Sequence, residues 1–248
     1  MEAVLLSIYK NRRDFLFQLM FLFLATLLTQ FSYIAYEKMV SDEDFIVTIV
    51  PSLLFLSLCT LPALLVGLTC GKKLGLGLVS ERTSETNGLQ RGVKFAFING
   101  IALGAFLLAI RWGSDSALPD EMPEYGFRGV IGGFLVSLGA SVGEEIWFRL
   151  GLMTLLLFAI QNLLLKKTLT DVVVFWTILV VGILFGTAHL PQLMSYGVTD
   201  AFAIWGTVIG NTCVSILYGW CFWRYGLISA IVAHFSLDLV LHCLTAVF

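Results

Sequence analysis

Charge is what this chain has least of: 13% of its 248 residues are Asp, Glu, Lys or Arg, 58% are hydrophobic, and the mean hydropathy is +0.90. No water-soluble globule of this length carries so little polar surface, which leaves an integral membrane protein. A basic excess is missing too. The net charge is −2, and the bases stand singly or in pairs beside apolar runs, so nucleic acid is excluded as a partner. There is no C-x-x-C and no secreted-type disulfide framework; Cys59, Cys70, Cys213, Cys221 and Cys243 lie in or at the edge of apolar segments and read as small packing residues. The Gly-Leu-Gly at 75–77 lacks the strand context and the Lys-Ser/Thr ending of a phosphate loop. No internal repeat and no soluble domain is visible.

What is present is a series of long apolar runs. Crossing about 30 Å of hydrocarbon takes about 18 or more such residues in a helix, a pattern that excludes the weak alternation of a β-barrel. Runs of this kind cover Phe15–Tyr36, Phe45–Cys70, Val93–Arg111, Gly129–Leu165, Asp171–Leu190, Asp200–Trp223 and Leu227–Phe248. The first is too long for a signal h-region and shows no small-x-small cleavage site, so it is expected to remain as a span. The 129–165 run exceeds one crossing and predicts either one long helix or two spans. The expected fold is all-α: a polytopic transmembrane helical bundle of seven or eight spans. It divides into N-terminal helices over 1–128, with polar loops at 71–92 and 112–127, and a helical core over 129–248.

Three places break this apolar background. Glu144, Glu145 and Arg149 sit inside the longest run, where an unpaired charge costs about 2.5–3.5 kcal/mol. At 100° per residue Glu145 and Arg149 share a helix face, whereas Glu144 is turned about 140° from Arg149. Arg149 is therefore expected to neutralise Glu145 and leave Glu144 free. The second break is Phe185-Gly-Thr-Ala-His189, a histidine closing an apolar helix before Pro191; a lone histidine there is more often a helix-dipole partner or an interfacial residue than a catalyst. The third is His234-x-x-x-Asp238, with His242 on the same stripe; a buried ion pair joining two helices is the less favoured alternative to a functional pair at this depth. Together they supply two free carboxylates, an arginine and two imidazoles on three helices. A bundle needing only cohesion could use its 23 glycines and its hydroxyls instead, so the economy points to a site.

The ordered arrangement E-E-x-x-x-R, F-x-x-x-H, H-x-x-x-D resembles the CAAX prenyl protease and bacteriocin-processing family of intramembrane peptidases, over residues 129–247. That resemblance implies a glutamate-type endopeptidase acting on membrane-associated peptide or protein substrates in the lipid bilayer. Glu144 would be the base, activating a water that His189 also holds. His234 and Asp238 would stabilise the oxyanion, with Glu145, Arg149 and Phe185 in support. No cofactor is implied. The chain departs from the prenyl-protease pattern at Asp238, where an asparagine donor is expected; an ionised Asp accepts hydrogen bonds only. This points away from prenylated substrates and towards the bacterial branch, and so to a multi-pass protein of the cell membrane, the bacterial inner membrane.

Competing readings stay open at this stage. Glu144, His189 and His234 could ligate a metal, although no H-E-x-x-H occurs. Buried Glu, Asp, His and Arg also serve proton-coupled carriers, against which the lack of an inverted repeat counts. A non-enzymatic immunity or scaffold protein is a third reading. Sidedness depends on the 129–165 run: as one helix it carries Glu144 and His189 to the outer half, and as two spans it carries them to the cytoplasmic half. The resemblance favours the cytoplasmic side. In either case antiparallel helices put Glu144 and His189 at similar depth, about 27–33 Å from the 166–171 turn.

Overall fold

The structure is a computed structural model and describes residues 2–42, 44–83 and 87–247. Its helices are α1 (Glu2–Val40), α2 (Phe45–Leu74), α3 (Gly88–Gly113), α4 (Gly129–Glu144), α5 (Thr154–Ala159), α6 (Asp171–Ala188), α7 (Leu190–Ser195), α8 (Ala201–Tyr225) and α9 (Leu227–Asp238). Among the described residues, seven helical stretches are long and apolar enough to cross a membrane. Of the two counts expected, seven holds because 129–165 is one unbroken stretch. α4 runs directly into a π-helix (Glu145–Met153), α5 and a second π-helix (Ile160–Leu165). The segment contains no proline to break it. Its register loosens instead, starting at Glu145 itself, as π segments often do where a helix carries function.

Local chemistry sets the ends of the spans. Asp44 and Asp200 cap α2 and α8 through side-chain acceptors, and Thr170 caps α6. Gly75 closes α2 at φ 67°, the left-handed conformation glycine adopts without strain. Both polar loops are shorter than their composition suggests, because the helices take up their edges. In the first, Ser80 donates to the Trp223 carbonyl at 3.1 Å, and Arg82 lies 3.4 Å over the Trp223 ring. This fastens the loop beneath the turn between α8 and α9, and burial there pulls the Arg82 guanidinium below its ordinary pKa. In the second, Leu118 and Met122 pack on Leu193, Val198 and Ala203, a small core separate from the main one.

α3 lies along α9, α6 along α8, and α1 along α4. The α3 face is small at every fourth position: Gly92, Ala96, Gly100 and Gly104 are all buried. A β-carbon on Gly100 would stand 2.5 Å from the Ala233 carbonyl, and one on Gly92 would stand 2.6 Å from Ser229 Oγ. In lipid, where apolar surface gains little by leaving the solvent, close backbone approach of this kind holds helices together. It also fixes the height of α9, which carries the histidine and aspartate of the third motif. Trp147 Nε1 donates to Thr60 on α2 at 2.9 Å, and Gln30 on α1 donates to the Gly139 carbonyl at 2.9 Å, tying the long helix in place. Phe17, Phe21, Leu28, Phe55, Leu58 and Trp205 point outward and are at least half exposed, as a lipid-facing belt requires.

Candidate active site

Glu145 is the centre of the buried charge. Its Oε2 stands 3.2 Å from Arg149 Nε, an ion pair with both side chains fully buried. The two atoms are in charge contact and not in an aligned hydrogen bond. The expected pairing is thus present, and the π-turn keeps residues four apart on nearly one face. Arg149 is further held by Ser215, to which Nη2 donates at 2.7 Å (Oγ) and 3.3 Å (carbonyl). Its guanidinium lies 4.7 Å from the Phe185 ring centroid and 5.2 Å from that of Tyr218. The flat cation stacks where ammonium would not.

The second oxygen of Glu145 reaches across to α9: His234 Nδ1 donates to Oε1 at 2.9 Å, in the interior. On the other edge of the ring, His234 Nε2 lies 3.4 Å from Asp238 Oδ2 and 3.9 Å from Glu144 Oε2. Neighbouring glutamates at the junction of α4 and the π-helix thus approach one imidazole from its two sides. Such a ring suits a donor on each nitrogen, an imidazolium among three carboxylates. Arg149 and His234 then supply two positive charges, and Glu144 is the carboxylate left over. It is also the accessible one, with its side chain 23% exposed against 0% for Glu145, and its Oε2 has no hydrogen-bond partner.

His189 ends α6. Its Nδ1 donates to the Phe185 carbonyl at 2.8 Å, which leaves Nε2 as the free ring nitrogen. The Phe185 ring is almost completely buried and separates the two imidazoles, at 4.7 Å from His189 and 6.0 Å from His234. Glu144, Phe185, His189, His234 and Asp238 all contribute to the wall of one cavity of about 570 Å³. Its mouth is formed by Glu124, Tyr125, Arg128, Gln192 and Tyr196, beneath the small core of Leu118 and Met122. Burial pushes the Tyr125 phenol above its ordinary pKa. The sequence reading missed Ser215 and Tyr218, which hold Arg149 and His234; a hydroxyl in an apolar helix raises no anomaly in hydropathy. Among the described residues, no three His, Cys, Asp or Glu side chains are grouped so as to hold a metal ion.

Carboxylates and imidazoles lining one cavity among apolar helices define a polytopic membrane protein with a buried acid–histidine centre. Residues 125–240 match the Rce1-like family, type II CAAX prenyl endopeptidases, and that match bears out the resemblance carried by the three motifs. The matched stretch is the part of the chain that holds the site, and there the chain is similar to that membrane protease family. The chain matches no curated protein and no solved structure.

Proposed function

We propose that the protein hydrolyses peptide bonds of membrane-associated peptides or proteins, with Glu144 as the general base. The observation that carries this reading is the contrast within the glutamate pair. Glu145 is fully buried between Arg149 and His234, whereas Glu144 lines the cavity with its side chain 23% exposed. Its Oε2 stands 3.9 Å from His234 Nε2, too long for a hydrogen bond, and the exposed part of the carboxylate is open to a water in the cavity. In the proposed reaction Glu144 takes the proton of that water while the oxygen attacks the scissile carbonyl. His189 Nε2, the free ring nitrogen, holds the water, then takes the proton from Glu144 and passes it to the leaving amine, which restores both side chains. Asp238, on the far side of the ring, orients His234 and preserves its charge, as a triad carboxylate does. Hydrolysis consumes one water and returns Glu144 to its starting state.

The proposal includes the side from which substrate arrives. The ends of the helices opposite the mouth carry Lys72, Lys73, Arg82, Arg91, Lys94, Lys166, Lys167 and Arg224. The mouth end carries Lys38, Arg111 and Arg128 among Glu37, Asp42, Asp44, Asp115, Asp120, Glu121, Glu124 and Asp200. Positive residues stay on the cytoplasmic side, so the mouth faces away from the cytoplasm. The cytoplasmic placement favoured by the resemblance required two spans in 129–165, and that run is one helix. Peptide segments presented at the outer leaflet are the substrates this orientation admits.

The test is a quenched-peptide library offered to the purified protein in proteoliposomes, with and without chelator. Cleavage that persists with chelator is expected. Proton or solute flux lost in Glu144→Gln, with no cleavage, would replace the peptidase with a carrier.

A further inference from the structure

Tyr218 on α8 is fully buried, yet its hydroxyl has no hydrogen-bond partner. The ring stacks on His234, centroids 4.5 Å apart and planes within 12° of parallel, and meets Phe185 edge to face at 6.3 Å. Its side chain belongs to the cavity wall that Glu144, His189 and Asp238 share. Phenylalanine would fill the same space and make the same stack, without a buried polar atom left unsatisfied. Such an atom is costly in the resting protein, since its lost bond to water is not replaced. A hydroxyl kept unpaired in a residue that lines the cavity has its partner in what the cavity binds.

The donors already present narrow that partner down. His234 turns Nδ1 to Glu145 and Nε2 to the carboxylates of Asp238 and Glu144. His189 gives Nδ1 to the Phe185 carbonyl. Asp238, ionised beside His234, accepts and does not donate. Attack of water on a peptide carbonyl places a negative charge on the carbonyl oxygen, and that oxygen needs a donor about 2.7–3.1 Å away. A phenol is a neutral donor at physiological pH and needs no proton from elsewhere.

We propose that Tyr218 is a catalytic residue whose hydroxyl donates the hydrogen bond to the oxyanion of the tetrahedral intermediate, the part that the side chain at 238 cannot perform here. No covalent bond to Tyr218 forms or breaks. The O–H stays with the phenol, and the bond it donates strengthens as charge develops on the substrate oxygen and relaxes when the carbonyl reforms.

This rests on the peptidase reading, and the experiment separates the two. Wild type, Glu144→Gln and Tyr218→Phe are assayed against one cleavable peptide, with thermal unfolding recorded in parallel. Tyr218→Phe is expected to lower kcat by about 100-fold, to leave KM within twofold, and to unfold no earlier than wild type, since it removes only an unpaired hydroxyl. A phosphinate peptide mimicking the tetrahedral intermediate should weaken by the same factor, while a non-cleavable substrate analogue keeps its affinity. 2,3-Difluorotyrosine at position 218 preserves the shape and makes the phenol a stronger donor, so it covers the case in which Tyr218→Phe misfolds; it should alter kcat and not KM. Wild-type kcat in Tyr218→Phe, or in the fluorinated protein, overturns the assignment while leaving the peptidase intact. Absence of turnover in wild type removes both.

Discussion

Glu145 and His234, 89 residues apart in sequence, share a 2.9 Å bond between Oε1 and Nδ1 in the interior of the bundle. With the Arg149 ion pair on its other oxygen, Glu145 joins the long helix to α9 and becomes the charge on which the rest of the centre is stacked. Its role is positional, and its partners on both sides lose their compensation if it is neutralised.

Glu145→Gln should therefore fail in folding before it fails in chemistry. Leaving Arg149 buried without its counter-charge costs about 3–5 kcal/mol, seen as a fall in the thermal midpoint and in yield from membranes. Adding Arg149→Met to that variant should recover a large part of the loss. Equal midpoints for Glu145→Gln and wild type would contradict the account.

Gly100 tests the seam that positions α9. A valine there would drive its β-carbon into the Ala233 carbonyl, one residue before His234. Gly100→Val should destabilise by about 1–3 kcal/mol, as overpacking does, and should cut turnover further than the lost folded fraction explains. Gly113, whose added β-carbon meets nothing within 4 Å and which does not line the cavity, supplies the control: Gly113→Ala should leave both nearly unchanged.

Orientation is read by labelling single cysteines in a background from which Cys59, Cys70, Cys213, Cys221 and Cys243 have been removed. Asp120→Cys, at the mouth end, should react in intact cells with a membrane-impermeant maleimide, and Thr168→Cys should react only after permeabilisation. The reverse pattern would place the mouth in the cytoplasm.

Much of this was legible in the sequence because apolar helices make every ionisable side chain conspicuous. Glu144, Glu145, Arg149, His189, His234 and Asp238 were each visible as interruptions, and the pairing of Glu145 with Arg149 follows from their spacing alone. What was not legible depends on register between helices. The bond from Glu145 to His234 joins two distant segments, which no periodicity within one segment contains. Tyr218 and Ser215 are ordinary residues of an apolar helix until α8 is seen beside α9. The continuity of 129–165 was open because hydropathy measures length and says nothing about a break; the helix stays whole by relaxing into a π-turn at Glu145, where 100° per residue no longer applies.

The central claim is that Glu144 performs the chemistry while Glu145 holds the frame. The most direct measurement is kcat for peptide cleavage by Glu144→Gln, purified and unfolding at the wild-type temperature. The account predicts a loss of at least about 100-fold, as expected when a general base is removed. A folded Glu144→Gln that cleaves at the wild-type rate would contradict it.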